Sequence, residues 1–150
     1  MSQSLFQVYI HIVFSTKHRQ PTINEEIERR LFKYIGGICK SLECNPIIVG
    51  GHEDHIHILC SLSKKVTLMK LIEEIKKRSS KWIKTISSEY NNFYWQTGYG
   101  VFSINHTDLN AATKYIKNQK ERHKKVNFQE ELIAFLKKYE VDYDEQYLWE

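Results

Sequence analysis

Apolar side chains recur along the chain with two different spacings, and the order of these spacings predicts the fold. Residues 5–15 are rich in β-branched and aromatic side chains, which favours a strand. Residues 46–49 predict a second strand, and a turn at Gly50-Gly51 is expected to connect it to a third strand ending at about Leu62. Alternation over residues 99–104 predicts a fourth strand. We therefore expect a sheet of four short strands.

Apolar residues three and four positions apart predict helices between and after these strands. Polar residues stand where the helices begin, and their side chains can accept hydrogen bonds from the first free backbone N–H groups. The predicted N-caps are Asn24, Thr67 and Asp108. These three helices are expected to end at about Leu42, Ile86 and Lys124, and a last helix is expected over about residues 128–139.

The order βαββαβ, followed by extra helices, predicts an α+β fold of the ferredoxin-like (RRM-like) type. In that topology an antiparallel sheet carries two helices on one face, and its first and third strands are central. The other face is expected to be open and to carry the function. Because 150 residues with 41% apolar content suffice for one core, we expect residues 1–150 to form a single domain.

Composition and charge limit the kinds of partner and the cellular location that we expect. A formal net charge of +4 suits a phosphate-bearing partner without identifying one. Cys39, Cys44 and Cys60 have no CxxC spacing, which indicates reduced thiols that fill the core of a cytosolic protein. No apolar stretch approaches the roughly 18 residues that a membrane helix needs, and residues 1–4 lack the features of a signal peptide. We therefore expect a cytoplasmic protein with no membrane partner.

Two histidines in the third strand predict a metal site. His55 and His57 flank Ile56, and side chains two apart on a strand emerge on the same face, so both imidazoles can bind one ion. Taken alone, the pair is also compatible with one core and one surface histidine that hydrogen-bond to the backbone. The adjacent Glu53 and Asp54 could bind the ion through water or simply begin the strand.

Two residues of the third predicted helix supply a nucleophile and a further ligand. Tyr115 and Gln119 are four apart, so their side chains point the same way. A tyrosine hydroxyl, with a reference pKa of about 10, is a weak nucleophile, but beside a metal-bound phosphate it can attack phosphorus. The Gln119 amide oxygen and two imidazoles would leave coordination positions for phosphate and water. Taken singly, Tyr115 could be a core or interface residue and Gln119 a solvated one.

Together these motifs resemble those of the single-tyrosine HUH transposases of the insertion-sequence type, which cut and rejoin single-stranded DNA. The HUH motif matches residues 55–57, and the Tyr-x-x-x-Gln helix matches residues 115–119. Further segments resemble the family's opening strand with its basic turn, its second-helix motif, the entry to its fourth strand, and the ending of members found beside repeated palindromes. These segments are residues 11–19, 78–80, 95–99 and 143–149. His18 departs from the pattern, since an aromatic residue is expected there, which bears on DNA contacts of that turn.

The resemblance implies a mechanism, a cofactor and partners. His55, His57 and Gln119 would bind a divalent ion, magnesium or manganese, and Tyr115, on the additional C-terminal helix, would attack DNA. The products would be a 5′-phosphotyrosine and a free 3′-hydroxyl, and rejoining would be the reverse attack. Family members are obligate homodimers that recognise DNA hairpins, and their tyrosine helix can complete the partner subunit's site. Such a protein would act on the bacterial or archaeal nucleoid.

Basic residues near these motifs are candidates for contacts with the DNA backbone, because lysine and arginine neutralise phosphate charge. The candidates are Lys17, Arg19, Arg78, Lys117, Lys120 and Arg122. For the basic second helix, an ordinary solvated face is equally compatible with the sequence.

Two other functions stay open on the residues alone. A noncatalytic nucleic-acid-binding domain of RRM-like fold would stack bases on the open sheet face, although the first and third strands lack an RNP-like aromatic motif. A metal hydrolase would use His55 and His57 with water as its nucleophile, and it would turn over without a covalent adduct.

Overall fold

A four-stranded antiparallel sheet lies at the centre of the computed structural model, which describes residues 2–150. Its strands are β1 (Tyr9–Ser15), β2 (Pro46–His52), β3 (His55–Ser61) and β4 (Gly100–Ile104). They lie in the order β2-β3-β1-β4, so β1 and β3 are central, as the sequence predicts. In the register of these two strands, Val13 pairs with His57 and Ser15 with His55.

Within residues 2–150, five α-helices and three short 3₁₀ turns complete the fold. The helices are α1 (Glu25–Ser41), α2 (Leu68–Lys84), α3 (Leu109–Lys117), α4 (Gln119–Arg122) and α5 (Phe128–Lys138). The predicted caps of the first two helices are confirmed, since Asn24 accepts from the N–H of Ile27 and Thr67 from that of Lys70. Asp108 forms no such bond. None of the helices within residues 2–150 is long and apolar enough to cross a membrane.

One face of the sheet forms the larger core. Alternate residues of β1 and β3 point toward α1 and α2, and nearly all are fully buried. These strand residues are Ile10, Ile12, Phe14, Ile56, Ile58 and Cys60. Burial of each such aliphatic or aromatic side chain contributes about 1.5–3 kcal/mol. The three cysteines are free and buried in this core, as predicted.

The prediction that the second face is open is wrong. This face carries His11, His55 and His57, and all three are buried. The helices after β4 bring an apolar stripe of their own, in which Phe128, Leu132 and Leu136 of α5 pack against Val13 and Phe102 of the sheet. Helices therefore cover both faces, because this stripe has to be buried against some apolar surface.

The predicted turn at Gly50-Gly51 is also wrong, because β2 continues through both glycines and the turn lies at Glu53-Asp54. The two glycines instead allow neighbouring backbone and side-chain atoms to lie close to β2. A Cβ atom at Gly50 would lie 2.7 Å from Cγ2 and 3.0 Å from the carbonyl oxygen of Ile116 in α3. Gly51 has a φ of +154°, and a Cβ there would lie 2.3 Å from the carbonyl oxygen of His55.

The third predicted helix is interrupted. At Asn118 the backbone leaves helical geometry, with φ −94° and ψ 20°, and the segment continues as the short helix α4. The break falls between Tyr115 and Gln119, which the sequence places on one continuous helix. Both side chains nevertheless lie over the same face of the sheet. Ile116 packs directly against β2 at Gly50, where there is no side chain, and this contact holds α3 in place.

Replacement of Gly50 by alanine tests whether α3 depends on its close contact with β2. Gly50→Ala would force Ile116 away from β2, and we expect the free energy of unfolding to fall by about 1–3 kcal/mol. Gly37→Ala is the matched control, because no atom lies within 4 Å of a Cβ at this exposed position of α1. Urea unfolding compares the two variants, and equal stabilities would show that α3 is not seated on Gly50.

Candidate metal and tyrosine site

Strand β3 places His55 and His57 side by side beneath α5. Both side chains are fully buried, and their ring centroids lie 5.1 Å apart. Asp54, in the preceding turn, orients the first ring: its Oδ1 lies 2.7 Å from Nδ1 of His55. If the carboxylate accepts the Nδ1 hydrogen, the Nε2 lone pair of His55 faces the interior of the site. Glu53 is exposed and takes no part in the cluster.

The two predicted partners on the following helices come to the same point. Gln119 is buried at the start of α4, and its Oε1 lies 2.9 Å from Nε2 of His55. Tyr115, partly buried on α3, has its ring centroid 5.8 Å from that of His57. The structure therefore brings together all four residues that carry the predicted chemistry.

Glu131 of α5 lies at the centre of this group and was not predicted from the sequence. Its carboxylate is fully buried. One oxygen, Oε1, faces the imidazoles, 3.0 Å from Nε2 of His57 and 3.4 Å from Nε2 of His55. The other, Oε2, accepts hydrogen bonds from the hydroxyl of Tyr115 and from Nε2 of Gln119, the latter at 3.2 Å.

A signal for Glu131 was present in the sequence. Phe128, Leu132 and Leu136 form the buried stripe of α5, and Glu131 occupies the position three after Phe128 in that same stripe. A carboxylate at a position where a helix presents apolar residues to the core requires a polar partner there. The spacing could have identified the residue as buried, although not its partners.

Hydrogen bonds keep Glu131 ionised in spite of its burial. Burial by itself raises the pKa of this carboxyl group, but hydrogen bonds from His123 and His57 and the charges of the nearby rings outweigh it, so the pKa lies far below its usual range. Burial lowers the pKa of His57 by more than Glu131 raises it. A carboxylate and a neutral imidazole are the forms that bind a cation.

The hydroxyl of Tyr115 is held in its protonated form. Burial, the negative charge of Glu131 and the hydrogen bond to that residue all raise its pKa above the ordinary value of 10. The nearby guanidinium of Arg122 acts in the opposite direction. A protonated tyrosine is a poor nucleophile, so any reaction of this hydroxyl would require a nearby positive charge.

Histidines from several elements extend the cluster into a row. Five of the seven histidines in the chain take part. In order along the row they are His11, His57, His55, His123 and His52, with ring centroids 5.0, 5.1, 4.4 and 5.7 Å apart. At one end, Nε2 of His11 lies 2.8 Å from Nδ1 of His57. Burial lowers the pKa of His11 to about 3, so this ring is neutral, and with its hydrogen on Nε2 it can donate to Nδ1 of His57 while Nε2 of His57 donates to Glu131.

Arg122 is the predicted DNA contact that lies within the site. Its Nε donates to Oε2 of Glu131 at 3.2 Å, and its guanidinium carbon lies 5.0 Å from the centroid of the Tyr115 ring. A partly exposed cation is therefore fixed beside the hydroxyl, where a phosphate would approach.

The other predicted DNA contacts lie outside the site. Lys120 is paired with Glu28 of α1 at 2.6 Å. Arg78 donates to the hydroxyl of Ser41 at 3.0 Å, on the α1 and α2 side of the sheet. The remaining three, Lys17, Arg19 and Lys117, lie in the turn after β1 and at the end of α3.

A family model described as "Transposase IS200 like" matches residues 4–119 of the sequence. The chain belongs to the IS200-like transposase family. The match includes the two histidines of β3, Tyr115 and Gln119, and it ends at that glutamine. His123 and Glu131 of this transposase lie beyond the matched segment.

Two solved structures have a similar fold. A crystal structure of a candidate transposase from Deinococcus radiodurans R1 superposes with a TM-score of 0.62 at 16% identity, covering 79% of this chain and 98% of that one. A REP-associated tyrosine transposase bound to a REP hairpin superposes with a TM-score of 0.58, also at 16% identity, covering 84% and 76%. At this identity the likeness shows the fold alone. No curated protein sequence matches the chain significantly.

Removal of the Glu131 carboxylate tests whether it holds the site together. Glu131→Ala would leave donors of His57, Tyr115 and Gln119 without their acceptor, and we expect a loss of about 3–5 kcal/mol in the free energy of unfolding at pH 7. Glu130→Ala, which removes the neighbouring exposed carboxylate, should cost less than about 1 kcal/mol. Urea unfolding of both variants checks this.

The pH dependence of that difference has a defined sign. Because the pKa of Glu131 is depressed in the folded protein, its stabilisation is fully present above the unfolded value of 4.5 and is lost as the pH falls below it. The stabilities of the parent and of Glu131→Ala should therefore converge in acid. A difference that stays constant down to the acid-unfolding range would contradict the depressed pKa.

Proposed function

We propose that the protein is a metal-dependent transposase that cleaves and rejoins single-stranded DNA through a covalent bond to Tyr115. One observation carries this proposal: the hydroxyl of Tyr115 is hydrogen-bonded to a buried carboxylate whose other oxygen lies 3.0 and 3.4 Å from the two β3 imidazoles. A nucleophile and a set of metal ligands therefore adjoin each other within a chain of the IS200-like transposase family.

The residues present fit a divalent ion. Single ligand atoms of His55, His57 and Glu131 all lie within 4.8 Å of one another, and all three side chains are buried. The Oε1 atom of Gln119 faces the same point. A cation at this point would replace the hydrogen that Nε2 of His57 shares with Glu131, and the Nε2 lone pairs of both imidazoles would then bind it. We assign His55, His57, Gln119 and Glu131 as the ligand set.

The residues divide the reaction between them. The bound ion would supply Lewis-acid stabilisation of the scissile phosphate. The oxygen of Tyr115 attacks phosphorus and the bond from phosphorus to the 3′ oxygen breaks, which leaves a 5′-phosphotyrosine and a free 3′-hydroxyl carrying the tyrosine's proton. Glu131 orients the hydroxyl by accepting its hydrogen bond, and Arg122 stands where it can pair with a phosphate oxygen. Rejoining reverses these bond changes.

The remaining parts of the proposal concern partners and setting. The REP-associated relative is bound to a REP hairpin, and we propose that this protein likewise recognises DNA hairpins at the ends it cleaves. We also propose that it acts as a homodimer in the cytoplasm, on the nucleoid. The strand order β2-β3-β1-β4 supports the assignment of its sheet as ferredoxin-like.

The structure argues against the alternative of a noncatalytic RRM-like domain. Such a domain stacks bases on an exposed sheet face, whereas here α5 covers the face that α1 and α2 leave free. The metal hydrolase alternative differs from the proposed function in its product, since a water nucleophile leaves no protein-DNA adduct.

Formation of the adduct tests the proposed nucleophile. With manganese or magnesium and a hairpin oligonucleotide that carries a single-stranded flank, the parent should form a covalent complex that migrates slowly in denaturing gels. Tyr115→Phe should abolish it, because within residues 2–150 the hydroxyl that is hydrogen-bonded to the ligand set is that of Tyr115. Tyr147→Phe, an equivalent change at an exposed position, should leave the yield unchanged. An adduct that persists in Tyr115→Phe would refute the assignment.

Metal binding in the absence of DNA tests the ligand set. Two imidazoles and a carboxylate favour Mn²⁺ over Mg²⁺, which prefers oxygen ligands and retains its water. Calorimetry should therefore show tighter binding of Mn²⁺. His57→Ala should weaken it at least about tenfold, whereas His106→Ala, at an exposed position in the turn before α3, should not. Equal affinities of parent and His57→Ala would contradict the site.

A further inference from the structure

A cleft beside Tyr115, here called the aromatic cleft, is not used by the chemistry described above. It has a volume of about 620 Å³ and lies between the end of β4, α3 and the C-terminal half of α5. Phe135 and Tyr139 form its α5 wall and Tyr115 closes one side, with the ring centroids of Phe135 and Tyr115 5.6 Å apart. Its size is that of pockets that bind small organic groups.

The floor and rim of the aromatic cleft carry both donors and acceptors. His11 lies at the floor, and since its Nε2 contacts His57 at 2.8 Å, its Nδ1 is the atom left to face a ligand. Within residues 2–150 this Nδ1 has no hydrogen-bond partner. The rim residues with polar side chains are Ser103, Asn105, Asp108 and Lys138.

A second cleft adjoins Tyr115 on another side, and its character is different. This basic cleft has a volume of about 510 Å³, and its lining includes Asn118, Arg122 and Lys125. The one carboxylate in the lining, Glu121, pairs with Lys124 at 3.0 Å, so the cleft presents net positive charge. Tyr115 is the residue that lines both clefts.

The residues of the basic cleft suit the phosphate of a nucleotide, and those of the aromatic cleft suit its base. Cations in the basic cleft attract the phosphate backbone. In the aromatic cleft the charges of Asp108 and Lys138 offset each other, while ring edges and faces together with mixed donors and acceptors suit a heteroaromatic base. A strand with its phosphate at the Tyr115 hydroxyl would pass from one cleft to the other.

We propose that the aromatic cleft binds one unpaired base of the DNA strand, next to the phosphate that Tyr115 attacks, while the backbone follows the basic cleft. This inference rests on the proposed function for the position of the phosphate. The base packs against Phe135 and Tyr139, and its edge meets Asn105 and the free Nδ1 of His11. A base held there fixes the register of the strand and therefore the site of cleavage.

Fluorescence of a base analogue tests the proposal without any cleavage. The probe is a hairpin oligonucleotide with a single-stranded flank, in which 2-aminopurine occupies each flank position in turn, titrated with the protein in EDTA. We expect quenching at one position, or at two neighbouring ones, where the base enters the cleft. An abasic site at that position should weaken binding about tenfold, the usual effect of losing one stacked base.

A protein variant in which a larger side chain fills the aromatic cleft tests the same site without a change in the DNA. Ala112→Trp places an indole in the aromatic cleft from α3 and should remove the quenching and weaken binding about as much as the abasic site. Ala134→Trp makes the same change at an exposed position of α5 outside the cleft and should bind like the parent. Ser103→Trp fills the cleft from β4 and replaces Ala112→Trp if thermal melting shows that the latter is unfolded.

The outcomes separate this inference from the proposed function. Quenching that appears at no flank position, or that survives in a folded cleft-filling variant, would overturn the base site. If cleavage and adduct formation proceed normally in that variant, the transposase chemistry stands without the base site. If the site-specific quenching appears but no adduct forms with manganese, the base site stands and the proposed chemistry fails.

Discussion

A single buried carboxylate holds the functional half of this protein together. Removing an ion from water costs several kcal/mol, and Glu131 recovers this cost through hydrogen bonds to side chains of β3, α3 and α4. Because its acceptor oxygens are shared between the imidazoles and Tyr115, no one of these elements can move independently. The second face of the sheet is thus organised around one charge, whereas the first is organised around aliphatic packing.

Local chemistry was sufficient to predict much of the architecture. The central position of β1 and β3 followed from the order of elements, and the caps at Asn24 and Thr67 followed from the preference of short polar side chains for free N–H groups. The proximity of Tyr115 and Gln119 to the β3 histidines was also expected, although on a continuous helix. Their roles in metal binding and in attack on DNA stay predictions.

Long-range contacts were beyond the reach of the sequence. The apolar stripe of α5 was visible, but a stripe does not identify the surface that buries it, so the covered second face and the role of Glu131 were missed. The role of Gly50 could not be predicted for the same reason. A tight turn requires a glycine, and so does the close approach of another helix or strand. The contact with Ile116, which decides between them, lies 66 residues away in the chain.

Helix α5 both covers the second face of the sheet and supplies a residue of the candidate site. Its apolar residues cover Val13 and Phe102, and its Glu131 adjoins Tyr115, the proposed nucleophile. A chain cut back to the segment that the family model matches would lack α5, so Val13, Phe102 and the three buried histidines of the same face would lie in contact with water. Loss of this one helix would therefore remove both the apolar cover of the second face and the buried carboxylate.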